Sequence, residues 1–211
     1  MAIPSELWKT RPNARLIELV LKAVPVAQTV DHQDIATKMI EFPHWPQMWP
    51  GEHYKLLSAL VSVLRPRVVV EIGTGSGYSS LAMKKYLPAD AKLFTFDIRP
   101  WREVRTNVLT QEDFVDGRLT QVIADLGDPA VFEKHAGLLR EASMVFIDAP
   151  EDEHRFIKNF GTLKFNSNPI FVFDNIRLMH LIDVWENIGR PKLDATTFGH
   201  WAGTGLVDWT A

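Results

Sequence analysis

Four aspartates in this sequence each close a run of mostly apolar residues: Asp97 after LFTF, Asp125 after TQVIA, Asp148 after MVFI, and Asp174, followed at once by Asn175, after IFVF. Runs of this length and composition read as buried strands. In an open α/β sheet, ligands bind outside the carboxyl ends of the strands, so the four carboxylates are expected along one rim. Any one of them alone reads equally well as a helix N-cap. As a set, they repel one another unless a cation or hydrogen-bond donors intervene.

A fifth run, Val68–Ile72 (VVVEI), ends instead in three glycines at alternate positions, Gly73, Gly75 and Gly77. Glycine tolerates positive φ and has no Cβ, so a strand can turn sharply into a helix while its N–H groups approach a ligand. Asp97 lies twenty residues beyond Gly77, about where a doubly wound nucleotide fold places its ribose-binding carboxylate. Together they predict a nucleoside site; the plainer alternative is a tight structural turn and a strand-ending Asp. Tyr78 stands where the dinucleotide fingerprint requires a further glycine, which argues against NAD and an oxidoreductase.

The elements that would position these residues alternate as in an α/β sheet with helices on both faces. Strands are expected at Val68–Ile72, Leu93–Asp97, Thr120–Ala124, Met144–Asp148 and Ile170–Asp174, with helices at Glu52–Leu64, Gly77–Leu87, Trp101–Gln111, Pro129–Leu139, Glu151–Phe160 and Arg177–Ile188. Asp128 precedes Pro129 as N-cap and first-turn proline. Lys192–Phe198 and Gly205–Trp209, joined by GHWAGT, read as a hairpin, which puts an antiparallel strand into the sheet. Toward the start, a helix is expected at Asn13–Val24, stopped by Pro25, and a weaker one at His32–Ile40. Residues 1–50 then form a helical lid extension on a core domain of residues 51–211. Between them, EFPHWPQMWPG (Glu41–Gly51) packs three prolines and two tryptophans into an irregular loop.

The chain has 211 residues, 46% of them apolar and 23% charged, a net charge of −3 and no cysteine. This suits one ordinary globular core and excludes disulfides, thiolate nucleophiles and Cys-ligated zinc. With no basic run, a small substrate is favoured over nucleic acid. Lacking an apolar run of membrane length or a signal-peptide core, the chain is expected in the cytoplasm, off the membrane. A homodimer is compatible with the sequence and not required by it.

The pattern E-x-G-x-G-x-G-Y-S at Glu71–Ser79 resembles the first motif of the class I S-adenosylmethionine-dependent methyltransferases. The resemblance covers roughly Met48–Ala211 and implies a Rossmann-like, seven-stranded, mostly parallel sheet with its last strand reversed. It implies that Glu71, Gly73, Gly75, Tyr78 and Ser79 surround the methionine moiety and that Asp97 binds the ribose. Asp125 or Ala124 would then lie by the adenine, flanked by Ile98; Trp101 fits better as a packing residue on the sheet edge. MVFIDAP followed by FVFDN is similar to paired motifs of the metal-dependent, catechol O-methyltransferase-like enzymes. That likeness implies a divalent ion, Mg²⁺ by preference, held by Asp148, Asp174 and Asn175. Such a set of oxygen donors suits a hard cation.

One position departs from that pattern. Those enzymes carry a lysine base three residues after the first metal-binding Asp, and here Glu151 stands there. Glu151, Asp152 and His154 are the candidate bases, His154 having the ordinary pKa nearest neutrality; no pattern singles out His53, His180 or His200. Trp45, Trp49 and Trp201 are candidate walls of an acceptor pocket, with plain core cover as the alternative for the loop tryptophans. The function expected is O-methylation of a hydroxylated small molecule. Its rivals are a metal-independent methyltransferase using a His or carboxylate base, and a non-catalytic nucleoside-binding protein.

Overall fold

The computed structural model describes residues 10–38, 41–149 and 153–210. Seven strands, β1 (Val68–Ile72), β2 (Lys92–Asp97), β3 (Leu119–Ile123), β4 (Met144–Ile147), β5 (Ile170–Asp174), β6 (Lys192–Asp194) and β7 (Thr204–Asp208), form one sheet in the order β3-β2-β1-β4-β5-β7-β6. β1 to β5 are mutually parallel, and β7 runs antiparallel to both β5 and β6. The terminal hairpin thus supplies the reversed strand, inserted between β5 and β6. The order reverses between β1 and β4, which places a ligand crevice there.

Side chains alternate across the strands with period two, and each set finds its own helical layer. Val69, Met144, Phe146, Ile170, Val172 and Leu206 face one core with α1 (Ala14–Thr29), α3 (Tyr54–Leu64) and α4 (Tyr78–Tyr86). Val70, Val145, Ile147, Phe171, Phe173 and Val207 face the other, with Phe132 of α5 (Pro129–Leu139), Phe156 and Phe160 of α6 (Glu153–Thr162) and Trp185 of α7 (Met179–Asn187). No helix among the described residues is long and apolar enough to cross a membrane.

Four local expectations are corrected, the first being the hairpin strand expected at Lys192–Phe198, which ends at Asp194 and gives way to a 3-10 turn at Thr196–Phe198. Pro25 does not end the first helix, which runs on to Thr29. A proline inside a helix costs about 3 kcal/mol, but Leu16, Leu19, Val20, Ala23 and Ala27 are buried in the core shared with α3, and that apolar stripe holds the last turn in place. The helix expected from His32 shrinks to α2 (Gln33–Ala36); Met39 and Ile40 lie outside the described residues. The crossover expected at Trp101–Gln111 is not an α-helix. Trp101–Glu103 makes one 3-10 turn, after which Asn107 folds its amide onto the backbone of Leu109, with bonds of 3.0 Å in each direction. That local bond competes with helix formation. Trp101 itself stacks on Phe114 at 5.5 Å between centroids.

His32 anchors the irregular segment that precedes α3. It is fully buried, with Nδ1 2.9 Å from the carbonyl of Pro46 and Nε2 2.9 Å from the Ser58 hydroxyl of α3. A carbonyl only accepts, so Nδ1 carries the proton.

Candidate active site

All three glycines of the β1–α4 turn have positive φ, +96° at Gly73, +47° at Gly75 and +87° at Gly77. Their surroundings differ. A Cβ on Gly73 would stand 2.0 Å from the backbone oxygen of Asp148, and one on Gly77 would stand 2.4 Å from Leu109 Cγ. Both therefore hold the turn against its neighbours. A Cβ on Gly75 would meet nothing within 4 Å, so this residue faces open space.

That space is a cleft of about 380 Å³ lined by Gly73, Gly75, Asp97, Ile98, Ala124, Asp125 and Asp148 among others, a size typical of small-molecule sites. Asp97 holds its near wall, Oδ2 accepting from Gly75 N at 3.1 Å and Oδ1 from Arg99 N at 3.0 Å. Each carboxylate oxygen keeps a second acceptor position. Asp125 accepts from Gly127 N at 2.8 Å and from Arg155 of α6 at 3.1 Å.

Glu71, Tyr78 and Ser79 are placed differently. Glu71 is fully buried, its carboxylate accepting from Ser80 of α4. Burial pushes its pKa up, against the opposing effect of the Ser79, Ser80 and Thr95 hydroxyls. Tyr78 is also buried, edge-on to Tyr54. Glu71 with Ser79 ties α4 to the sheet, Tyr78 packs α4 against α3, and none of the three lines the cleft.

Beside the cleft, where β4 and β5 end, lies a second constellation. Asp174 Oδ1 sits 3.0 Å from His200 Nδ1 and 3.3 Å from His53 Nδ1, and His200 Nε2 is 4.0 Å from Glu52 Oε2. Glu52, His53 and Asp174 are all buried. Two elements distant in sequence are pinned together to build this cluster: Gly51 N donates to Gly199 O and Trp201 N to Gly51 O, both at 3.1 Å. The residue pair ahead of α3 thereby meets the loop between β6 and β7.

The charges in the cluster are interlocked. For His53, burial pulls the pKa down, but Asp174, then Asp148 and Glu52, carry it up to about 9. Burial pushes Asp174 up, yet His53 and His200 hold it well below the usual carboxylate range. Asp148 is raised to about 7 by burial first and then by the Asp174 charge, with His53 opposing. Asp148 also lines the cleft, so it is common to both halves of the site.

The family model described as O-methyltransferase matches residues 30–180. The chain belongs to the O-methyltransferase family. Catechol O-methyltransferase B of Danio rerio is 32% identical over 103 residues, a match that spans 47% of this chain and 37% of that relative's length. Among solved structures, a methyltransferase from Geobacter sulfurreducens is similar with a TM-score of 0.56 and 15% identity, over 92% of this chain and 90% of the other. The O-methyltransferase TomG of Streptomyces achromogenes, involved in tomaymycin synthesis and solved in complex with S-adenosylmethionine, gives 0.53 and 20% over the whole of both chains. At these identities the structures speak for the fold.

Against this family background, the structure brings together Asp148, Asp174 and Asn175 at adjacent strand ends, and Asp97, Ile98, Ala124 and Asp125 on one cleft wall. His154 lies apart from both sets, exposed in a groove with Asp183 and Asn187 of α7. Glu151 and Asp152 are outside the described residues. Trp45 stacks on Phe42, with Trp49 half-buried against the same core and Trp201 71% exposed beside His200. Sequence reasoning missed Glu52, His53 and His200. The two histidines are 147 positions apart, and no spacing rule connects the start of a helix to a hairpin loop.

Proposed function

We propose that this protein transfers a methyl group from S-adenosylmethionine to a hydroxyl oxygen of a small molecule. The observation that carries the reading is the position of Asp148, at once a wall of the nucleoside-sized cleft and a charge partner of Asp174 and His53. A sulfonium seated in the cleft would have its methyl beside groups that can take up a proton. In this reading the open Gly75 loop takes the methionine moiety, Asp97 the ribose, and Ile98, Ala124 and Asp125 the adenine.

The reaction asks little covalent work of the protein. A lone pair on the acceptor oxygen forms the new O–CH₃ bond as the S–CH₃ bond breaks in line, leaving a neutral thioether, while the hydroxyl proton passes to the carboxylate cluster. Orientation is the main contribution. Asp148, with a pKa near 7, is poised to receive the proton at neutral pH. The half-buried Trp49 and the exposed Trp201 flank the cluster through Gly51 and His200 and offer flat apolar faces, which favours a planar or hydrophobic acceptor. The net charge of −3 fits a small acceptor better than a polyanion.

The magnesium ion implied by the family likeness does not fit the donors around Asp174. Mg²⁺ takes oxygen ligands, whereas two imidazole nitrogens converge on the one Asp174 oxygen.

Incubating the chain with S-adenosylmethionine and a panel of hydroxylated aromatic and aliphatic metabolites should yield a product heavier by one CH₂ together with stoichiometric S-adenosylhomocysteine. Binding of S-adenosylhomocysteine with no product across the panel would favour the non-catalytic nucleoside-binding alternative.

A further inference from the structure

The polar cluster contains more nitrogen than a carboxylate-only site: His200 Nδ1 is hydrogen-bonded to Asp174 Oδ1 at 3.0 Å, but hydrogen bonding does not account for His53. The ring of His53 is wedged against Phe146 and Tyr54 at centroid distances of 5.3 and 4.5 Å and stands edge-on to His200 at 5.5 Å. Its side chain is 4% exposed, and neither ring nitrogen has a hydrogen-bond partner. Nδ1 lies 3.3 Å from Asp174 Oδ1 but is not aligned to donate to it. A buried nitrogen left without a hydrogen bond in this way is costly.

Near-contact without alignment is what ligand atoms of one ion show, because their lone pairs point at a shared centre and not at one another. With bonds of about 2.1 Å, neighbouring ligands are about 3.4 Å apart in a tetrahedron and about 3.0 Å apart in an octahedron. The unaligned contact of His53 to Asp174 Oδ1, 3.3 Å, falls on the tetrahedral edge, the hydrogen-bonded contact of His200 Nδ1 to the same oxygen spans 3.0 Å, and the ligand atoms of His53, Asp174 and His200 all lie within 4.8 Å of one another. Glu52 Oε2, 4.0 Å from His200 Nε2, stands where an outer carboxylate orients a ligating imidazole.

We propose that His53, Asp174 and His200 form a binding site for a borderline divalent transition-metal ion, of the zinc, cobalt and iron(II) class. Two imidazoles and one carboxylate with the remaining positions open is a donor set that selects such ions over Mg²⁺. An acceptor hydroxyl bound there would have its pKa lowered by the ion. That task rests on the methyl-transfer reading, but the site itself does not.

Cobalt(II) is the direct probe, because its d–d absorption reports the ligand field without any turnover. The chelator-treated full chain, titrated with Co²⁺, should develop a visible band that saturates at one equivalent, is displaced by Zn²⁺ and survives millimolar Mg²⁺. His200→Ala, on the less buried hairpin loop, and His53→Gln should each weaken Co²⁺ binding at least about tenfold, while calorimetric binding of S-adenosylhomocysteine shows that the variants remain folded. Asn175→Ala should leave the band unchanged. Absence of a band in a chain that binds S-adenosylhomocysteine, displacement by Mg²⁺, or parental titration curves in both histidine variants would overturn the site and leave a protonated His53 paired with Asp174. A cobalt band without S-adenosylhomocysteine binding would uphold the site and remove the methyl-transfer reading instead.

Discussion

Gly73→Ala should be among the most damaging single substitutions in this protein, lowering its unfolding free energy by about 3–5 kcal/mol from the combined strain of a left-handed backbone and an overpacked contact. At φ +96° an L side chain is strained whatever the space, and the new methyl would lie 2.0 Å from the Asp148 carbonyl oxygen and 2.9 Å from its carbon. Both obstacles are backbone, so no side chain can swing away. Relief requires β1 and β4 to part at the ends that form the cleft. Gly75→Ala is the control: with nothing within 4 Å and φ +47°, it should cost about 1–2 kcal/mol and act mainly by filling space that the cofactor needs. Urea midpoints of the two variants separate the cases. Equal and small losses would mean that the turn is not held by its contact with Asp148.

Removing metal should expose a second large effect, one that depends on pH. In the chelator-treated chain, His53 titrates at about 9 when folded, against 6.5 for an ordinary histidine. A raised histidine stabilises the fold fully below 6.5 and loses that contribution as pH climbs through 9, because over this window the native state binds the extra proton. Asp148, raised from 3.8 to about 7, has the same sign in a lower window, with stability falling as pH rises from about 4 to 7. Asp174, held low, acts oppositely and loses its contribution only as pH falls below the carboxylate range. Between pH 6.5 and 9 the histidine dominates, and a loss on the order of 3 kcal/mol is expected. Urea-derived stabilities across that interval should show the fall in the parent chain and a much flatter profile in His53→Gln. A flat parental profile would contradict the His53–Asp174 ion pair.

The sheet was legible from the sequence because its strands are short apolar runs punctuated by residues with one dominant reading each: the glycine turn after Ile72, the Asp128–Pro129 helix start, the hairpin around Gly199 to Gly203. Helix ends and irregular crossovers were less so. Pro25 reads as a stop by local rules, and only the buried stripe of α1 outweighs it; the Asn107 side chain decides the fate of the 101–111 segment by a bond that periodicity does not reveal. In the site, the rim residues Asp97, Asp125, Asp148 and Asp174 could be found because each ends a strand. Glu52, His53 and His200 could not, since they meet Asp174 only after Gly51 pairs with the loop between β6 and β7. Glu71 opens the motif yet lies buried beneath α4 with one oxygen accepting from Ser80, a placement that sequence does not distinguish from a cleft position.

Methyl-donor binding in the cleft is tested most directly by calorimetric titration of the intact chain with S-adenosylhomocysteine alongside Asp97→Ala and Asp97→Asn. Saturable binding is predicted for the parent. Affinity should fall about tenfold to a hundredfold in Asp97→Ala, the loss of hydrogen bonds to a charged acceptor, and less in Asp97→Asn, which keeps one acceptor for Gly75. No heat from the folded parent chain, or the same affinity in Asp97→Ala, would contradict the assignment of this cleft to the methyl donor.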